Sequence, residues 1–320
     1  MTATRPDDAL RNKLVVVIGG GGFLGRHLAQ ELLARGARLR IASRHVERAY
    51  AVKALGNLGQ VQFSRLDVTK ADEVGLARVL QGADAVVNLV GGFSGNLDAL
   101  QGSGAGALAA AAKAAGARAF VHISALVGES AAKVGYASSK AAGEAAVLAA
   151  FPQATILRPS ILLGPDDGLI PLFAGLLSTL PVVPVFGPEA KLAPVFVDDV
   201  ALAIAVALAD PAAHGGKTYE LAGPEVITTL ELNQRIAKAA KRKPLLVPLP
   251  DCVSGLIAGL TGWLPLAPIT ASQWKLLQAG NVASGALPGL AEMGIRARPL
   301  GLFLDRWLVR FREHGRFGVA

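Results

Sequence analysis

Short apolar runs alternate with longer alanine-rich stretches through the first half of the chain. The apolar runs are rich in β-branched residues, as in "LVVVI", "AVVNLV" and "AFVHI", which is typical of strands that helices cover on both faces. We predict six strands, at residues 14–18, 38–42, 60–65, 85–89, 119–124 and 155–157. Because repeated strand–helix units build a parallel sheet, the pattern predicts an α/β fold with a Rossmann-type doubly wound sheet.

The pattern changes after Pro159. Six prolines interrupt residues 165–194, and helical periodicity returns only near Val200. We therefore predict a dinucleotide-binding Rossmann core over residues 1–160 and a smaller, mostly helical C-terminal lobe over residues 161–320. The two parts are expected to interleave in one compact unit, since 320 residues with 52% hydrophobic content suffice for a large core.

Four consecutive glycines follow the first predicted strand, in "VVVIGGGGFLGRH". Gly19, Gly22 and Gly25 fit the spacing G-x-x-G-x-x-G, and a helix is predicted to begin around Phe23. Glycine permits a tight turn and lets the backbone approach a pyrophosphate, while the N-terminus of the helix offers unpaired N–H groups to the anion. The strand before and the helix after this turn favour dinucleotide binding over the alternative of a tight turn without a ligand.

The second strand ends in "RIASRH", without the acidic residue that would bind the ribose hydroxyls of NAD. Ser43, Arg44 and Arg48 instead offer a hydroxyl and guanidinium groups suited to a 2′-phosphate. This favours NADP(H) over NAD(H). The alternative is that these arginines are simply solvated at the end of a strand.

Tyr136 and Lys140, in "YASSK", are four residues apart on a predicted helix and therefore share one face. An ammonium beside a phenol lowers the pKa of the phenol, so that the tyrosine can exchange protons near neutral pH. Ser124, at the end of the fifth strand, could fix a substrate oxygen. A surface pair is the common alternative for this spacing, but the order of glycine turn, strand-end serine, tyrosine and lysine favours an acid/base site.

These motifs resemble the short-chain dehydrogenase/reductase superfamily in its extended or atypical branch. The resemblance implies that Tyr136 is the general acid/base, that Lys140 lowers its pKa and holds the nicotinamide ribose, and that Ser124 orients the substrate. It implies no metal. The resemblance places further cofactor contacts at Phe23, Leu24, Asp67, Val68, Asn88, Val90, Gly91 and Pro159.

A closer resemblance rests on four segments. The stretch "YASSKAAGEAAVLAAFPQATILRPSILLGPDD" and the segments "KTYELAGPEVIT", "LLVPLP" and "WLVRFREHGRF" are similar to the NAD(P)H-binding accessory subunits of respiratory complex I in their bacterial form. This implies a nucleotide held mainly as a structural element and docking to peripheral-arm subunits near the membrane. An active NADP-dependent reductase or epimerase with a small carbonyl or sugar-like substrate stays open as the alternative, and a nucleotide-sensing regulator is a third.

The charge of the chain is +8, with a pI near 9.8, and the excess is concentrated near the C-terminus. Residues 295–320 contain six arginines against Asp305 and Glu313, and a second basic cluster spans residues 235–243. Neither cluster is interleaved with stacking aromatics, and zinc-finger spacing is absent from the sequence, so we expect no nucleic-acid binding. An acidic protein surface or anionic lipid is the better match for these clusters.

The N-terminal residues carry no apolar stretch, so we expect no signal peptide. The apolar run at residues 252–269 is broken by glycines and prolines, which predicts an interfacial or buried hairpin of short helices and not a spanning helix. Its single cysteine, Cys252, is expected to be a small core residue. Together with the complex I resemblance, these features predict a peripheral location on the cytoplasmic side of the inner membrane.

Overall fold

The structure is a computed structural model that describes residues 9–261, 269–313 and 315. In this part of the chain the strands are β1 (Leu14–Ile18), β2 (Arg38–Ser43), β3 (Val61–Arg65), β4 (Ala85–Asn88), β5 (Ala119–Ile123), β6 (Thr155–Pro159), β7 (Leu162–Leu163), β8 (Val182–Val185), β9 (Lys191–Leu192), β10 (Val195–Phe196), β11 (Thr218–Leu221), β12 (Ile227–Thr228) and β13 (Leu245–Pro248). The α-helices are α1 (Phe23–Ala34), α2 (Glu73–Leu80), α3 (Leu97–Gln101), α4 (Ser103–Ala114), α5 (Gly135–Ala150), α6 (Leu169–Thr179), α7 (Val197–Ala209), α8 (Pro211–His214), α9 (Thr229–Ala239), α10 (Asp251–Thr261), α11 (Ala271–Gln278) and α12 (Leu304–Trp307). Short 3₁₀ segments include Val46–Leu55 and Val309–Phe311.

The central sheet confirms the predicted Rossmann-type architecture. Its strand order is β11-β6-β5-β4-β1-β2-β3, and all neighbouring strands are parallel. The six predicted strands are all present, with ends that differ from the prediction by at most two residues. The predicted number of strands is wrong, however, because the described chain adds a seventh, β11, at the edge beside β6.

Side chains alternate between the two faces of the sheet and form one hydrophobic cluster on each face. Val15 and Val17 of β1 pack on one face with α1 and α7, whereas Val16 and Ile18 pack on the other with α2, α4 and α5. Both faces are covered, which explains why the strands are continuous apolar runs in the sequence. The predicted division at residue 160 stays a prediction, since β11 and α7 come from the second half of the chain and complete this core.

The remaining strands form three two-stranded sheets in the C-terminal lobe. The pairs are β7 with β10, β8 with β13, and β9 with β12. Helices α6 and α9 enclose a separate hydrophobic cluster there, to which Leu300, Leu304 and Leu308 contribute from the C-terminal segment. This lobe lies beyond the carboxyl ends of β5 and β6, where the site residues converge.

The apolar run at residues 252–269 begins as α10 and continues into residues 262–268, which lie outside the described residues. Ser254 and Ala258 of α10 are buried, and Gly255 faces the indole of Trp274 in α11. Cys252 lies on the opposite face and is exposed, so its prediction as a core residue is wrong. Among the described residues, none of the helices combines the length and hydropathy needed to cross a membrane.

Candidate functional site

The glycine turn connects β1 to α1 with the geometry that close packing requires. Gly19 has φ +81°, and a Cβ on it would lie 3.3 Å from the backbone of Leu89 and Val90. A Cβ on Gly25 would lie 2.6 Å from the carbonyl carbon of Gly20, which is closer than real contacts allow. Gly22 is the N-cap of α1 and, within the described chain, has no side-chain cap and no acidic residue in the following turn. The first N–H groups of α1 are therefore open to an anion.

The predicted cofactor residues of β2 and β3 lie side by side at the same edge of the sheet. Ser43 ends β2, and a Cβ on Gly21 would be 3.3 Å from its Oγ. Arg44 and Arg48 follow and are exposed. The Thr69 hydroxyl donates to Asp67 at 2.7 Å and lowers the pKa of that carboxyl, and the charge of Arg44 lowers it further. Val68, next to Asp67, packs against the core cluster on its face of the sheet.

Asn88 and His122 form a buried pair where β4 and β5 end. The Asn88 amide donates to His122 Nδ1 at 3.1 Å and its carbonyl accepts from the Val90 N–H at 3.0 Å. Burial lowers the pKa of His122 to about 3, with a further contribution from the charge of Lys140. The imidazole is therefore neutral, and its Nε2 has no hydrogen-bond partner among the described residues.

Lys140 of α5 reaches the ends of β4 and β5, at the residue before Ser124, and Tyr136 lies one turn earlier on the same helix. Lys140 Nζ donates to the carbonyls of Ile123 (2.9 Å) and Val90 (3.3 Å). Burial lowers the pKa of Lys140 to about 8, against an opposing contribution from Glu144. Burial also raises the pKa of Tyr136 to about 12. The expected lowering of the phenol pKa is therefore wrong, because burial of the phenol raises its pKa and the Lys140 ammonium makes no offsetting contribution.

The arrangement fits a dinucleotide. The glycine turn leaves no room for a side chain at Gly19 or Gly25, and a Cβ on Gly91 would lie 3.1 Å from Lys140 Nζ. Ser124 Oγ is buried and lacks a partner in the described part of the chain, as is expected of a group that awaits a ligand. Pro159, at the end of β6, accepts a hydrogen bond from Leu126 N at 2.9 Å and closes the same edge. Gly19, Ser43, Asn88, Ser124 and Pro159 end or directly follow strands of the parallel sheet and so lie at its carboxyl edge. Leu24 differs, because its side chain is buried in the hydrophobic core.

Two groups of residues at this edge were not predicted from the sequence. The first is an ion-pair latch that joins α1 to the loop at residues 164–168 and to the start of α7. His27 Nδ1 lies 2.5 Å from Asp198 Oδ1, His27 Nε2 lies 2.9 Å from Asp166 Oδ1, and Arg26 pairs with Asp166. Burial opposes protonation of His27, but its two carboxylate partners outweigh this and raise its pKa.

The latch loop also contacts the glycine turn directly. A Cβ on Gly164 would lie 2.7 Å from Cζ of Phe23, whose ring meets His27 edge-on at 5.2 Å. The carboxylate of Asp167 fixes the loop by accepting hydrogen bonds from the N–H groups of Gly164, Leu169 and Ile170. The partners of His27 are 139 and 171 residues away in the chain, and no local pattern indicates them; only the "GPDDG" turn marks the loop.

The second unpredicted group consists of one residue, Asn281, which follows α11. Its side-chain carbonyl accepts from Ile161 N at 2.7 Å and from the Ser160 hydroxyl, and its amide donates to the carbonyl of Leu126. Asn281 thereby ties the segment after Ser124 to the end of β6. A single asparagine in a polar loop carries no sequence signal for this role.

Comparison with known proteins relates this site to a family. Residues 15–222 match the NAD dependent epimerase/dehydratase family. The chain is 31% identical over 308 residues to the rat protein NADH dehydrogenase (ubiquinone) 1 alpha subcomplex subunit 9, mitochondrial, with 94% of this chain and 81% of that protein covered. The Arabidopsis thaliana protein of the same name is 34% identical over 77% of this chain, which spans 62% of that relative.

A relative with a different name has similar identity. The ceramide reductase of Caulobacter vibrioides is 32% identical over 248 residues, covering 74% of each chain. Among solved structures, the NADPH-dependent quinone oxidoreductase of Escherichia coli in complex with NADPH has the same fold, with a TM-score of 0.71 at 21% identity over 91% of this chain and 99% of that one. The chain thus belongs to the NAD dependent epimerase/dehydratase family and shares most of its length with relatives named as mitochondrial complex I subunits.

Proposed function

We propose that this protein is an NADP(H)-binding accessory subunit of respiratory complex I that holds its nucleotide mainly as a structural element. Assembly with complex I is supported by the relatives, which match the core and the C-terminal lobe alike. Retention of the nucleotide is supported by the latch. A loop of the lobe is tied by Asp166 to Arg26 and His27, on the helix whose N-terminus would receive the phosphates.

Because of the latch, we expect bound nucleotide to exchange slowly. We infer that release of a dinucleotide from the glycine turn requires the loop at residues 164–168 to move away from Phe23. That movement breaks two contacts of Asp166, both of them charge-assisted when His27 is protonated. Such a closure suits a subunit that keeps its nucleotide.

The preference for NADP(H) rests on the end of β2. Ser43 offers a hydroxyl beside the glycine turn, and the exposed Arg44 and Arg48 supply positive charge. Arg44 already acts electrostatically on Asp67, so its guanidinium lies near the end of β3. A 2′-phosphate at this position would meet a cation and not an opposing carboxylate on β2.

Contact with peripheral-arm subunits near an anionic membrane surface is supported by a basic edge of the lobe. We define this edge by Lys241, Arg242, Lys243, Arg310 and Arg312, which combine the two basic clusters of the sequence. Arg242 donates to the carbonyl of Phe311 at 3.2 Å and Arg312 donates to that of Ala239 at 3.1 Å. Residues 314 and 316–320, which include Arg316, lie outside the described residues.

Aliphatic side chains lie next to the basic edge. Val182 and Leu245 are register partners in the β8–β13 pair, and both are largely exposed. A surface that combines exposed aliphatic groups with lysine and arginine suits the headgroup region of an anionic leaflet. This supports a peripheral location on the cytoplasmic side of the inner membrane.

Native separation of membrane complexes tests the proposal. Membranes of the source are solubilised gently, and the complexes are resolved and stained for NADH:quinone oxidoreductase activity. We expect the chain in the active band, with NADP(H) recovered from it in amounts near one per chain. Absence of the chain from that band would overturn the assignment, and recovery of NAD(H) alone would overturn the preference for NADP(H).

A second candidate is an active NADP-dependent reductase or epimerase. Two observations favour it: Lys140 contacts the backbone immediately before Ser124 and shares a face of α5 with Tyr136, and a relative is named ceramide reductase. In this function Tyr136 would donate the proton to a carbonyl oxygen fixed by Ser124, and hydride would come from NADPH.

The reductase is tested with purified chain, NADPH and a panel of carbonyl substrates that includes small ketones, nucleotide sugars and a ceramide bearing a ketone. Turnover that Tyr136→Phe abolishes would support this candidate. If every member of the panel is inert, or if Tyr136→Phe retains the wild-type rate, the candidate is excluded.

A further inference from the structure

The loop between β4 and α3 passes over the helix that carries Tyr136 and Lys140. We name residues 91–96 the aromatic cover. At its start, Gly91 lies against Lys140, since a Cβ there would be 3.1 Å from Nζ. At its middle, the ring of Phe93 stacks on the ring of Tyr136, with centroids 4.4 Å apart and planes inclined by 21°. The cover therefore contacts both Lys140 and Tyr136 of α5.

Both ends of the cover are fixed. The N–H of Gly92 donates to Gln101 Oε1 at 3.1 Å, and the amide of the fully buried Gln101 donates to Ser139 Oγ at 2.8 Å. Ser139 in turn donates to the backbone carbonyl of Tyr136 at 2.9 Å. At the other end, Asn96 caps α3 by accepting from Ala99 N. A chain of hydrogen bonds therefore fixes the position of the cover relative to α5 and ends at the backbone carbonyl of Tyr136.

The tip of the cover, in contrast, is open to solvent. Phe93 is 61% exposed, and Gly95 has φ +84° with nothing near the position of a Cβ. An aromatic ring with this exposure is not held by the core. Its stacked contact with Tyr136 lies within the separations that aromatic pairs prefer, so this contact accounts for the position of the ring.

We propose that Phe93 controls access to the triad: its ring covers one face of the Tyr136 phenol and so narrows the approach of a substrate carbonyl to the phenol hydroxyl. The inference rests on the proposed function in treating the triad as part of a site where nucleotide is kept without turnover. The raised pKa of Tyr136 agrees with it, because burial is its cause and the ring of Phe93 lies on that phenol. Gly95, at the open tip, has a φ of +84° and gives the loop the freedom to move.

Nitration of tyrosine by tetranitromethane, mapped by mass spectrometry of peptides, tests the proposal on the purified full chain. The chain has three tyrosines, and two of them are internal references: Tyr50 is 56% exposed and Tyr219 is 2% exposed. The reagent attacks the phenolate, whose fraction at fixed pH rises about tenfold for each unit by which the pKa falls. We expect slow nitration of Tyr136 relative to Tyr50 in the wild type.

In Phe93→Ala we expect nitration of Tyr136 relative to Tyr50 to rise by about tenfold, the change that a one-unit fall in its pKa produces. Phe93→Leu keeps part of the cover and should give a smaller rise. Leu172→Ala is the matched control, because Leu172 is an aliphatic residue of α6 that is 58% exposed, and it should leave the ratio unchanged.

An unchanged ratio in Phe93→Ala, or an equal rise in Leu172→Ala, would overturn the proposal. Reaction of Tyr219 would reveal unfolding, and Phe93→Leu then decides the outcome. The result is independent of complex I: the cover can fail while the chain still migrates with the complex, and the converse also holds, so the two proposals fail separately.

Discussion

Gly22 and Gly25 lie in the same turn, but an added methyl group meets different surroundings at each. On Gly25 the Cβ would lie 2.6 Å from two backbone carbons of Gly20, whereas on Gly22 its nearest neighbour would be Gly19 O at 3.5 Å. Carbon atoms settle at about 3.5–4.0 Å, so Gly25→Ala requires a displacement of about 1 Å between α1 and the turn. Gly22→Ala requires none, and its φ of −83° suits alanine.

The two substitutions should therefore separate folding from binding. Overpacking of a tight backbone contact costs about 1–3 kcal/mol, which lowers Tm by roughly 1.5–5 °C in a chain of this size. Alanine at an N-cap costs about 0.5–1 kcal/mol, so Gly22→Ala should melt within about 1.5 °C of the wild type. Its methyl group, however, would occupy the approach of a phosphate, and a lost charge-assisted hydrogen bond weakens binding by roughly 10- to 100-fold.

The assay is a thermal unfolding curve by circular dichroism beside NADPH titration by calorimetry, on the same protein samples. Gly175→Ala is the matched control, because this glycine of α6 has open space around its Cβ position and lies in the C-terminal lobe. It should melt no lower than the wild type and bind NADPH normally. Wild-type NADPH affinity in Gly22→Ala, or a wild-type melting curve in Gly25→Ala, would refute the assignment of these roles.

Three further predictions concern charge. Arg44→Ala should weaken NADPH binding about tenfold and leave NADH binding unchanged, a loss expected of one charge-assisted contact; equal losses for both nucleotides would contradict the 2′-phosphate assignment. The pKa of His27 is raised above its ordinary value of 6.5, so protonated His27 stabilises the fold fully below pH 6.5 and this stabilisation is lost as the pH rises through the raised value. As the pH rises from 6.5 through the raised pKa of His27, the difference in Tm between the wild type and His27→Gln should shrink. If this difference does not change with pH, the ion pairs of His27 are not its cause. Burial lowers the pKa of Lys140 from 10.5 to about 8, so the unfolded chain binds more protons than the folded chain between these pH values. The wild type should therefore gain stability relative to Lys140→Met as the pH rises from 8 to 10.5. A difference in Tm that stays constant over this range would contradict the prediction.

Among the strands that the sequence predicts, β1, β4 and β5 are buried along their whole length, and burial on both faces produces an unbroken apolar run. β11 is also largely buried, but its sequence does not form such a run. It has four residues, lies at the edge of the sheet beside β6 alone, and includes Glu220, a buried carboxylate bound to Ser284. Only the similarity of "KTYELAG" to known families marked this segment, and similarity does not give a register.

In the site, too, features that depend on neighbouring residues were predictable from the sequence, whereas features that depend on residues far apart in the chain were not. The spacing of Gly19, Gly22 and Gly25, or of Tyr136 and Lys140, is contained in a few consecutive residues and predicted which groups share a turn or a helix face. The sign of the Tyr136 pKa shift was not predictable, because it depends on how deeply the folded chain buries the phenol. The latch depends on three segments, and its geometry exists only once the lobe has packed on α1.

The latch lies at the glycine turn, and the aromatic cover lies at Tyr136. We therefore expect the two to affect turnover in different ways. In our proposals, opening of the cover admits a substrate to Tyr136, whereas opening of the loop at residues 164–168 allows nucleotide exchange. If the chain has reductase chemistry, Phe93→Ala alone should therefore give a single hydride transfer per bound NADPH, since Asp166 still holds the loop on Arg26 and His27. Repeated turnover should require Asp166→Ala as well. A chain in which neither substitution yields even the single transfer is a nucleotide holder, in which the triad serves binding alone.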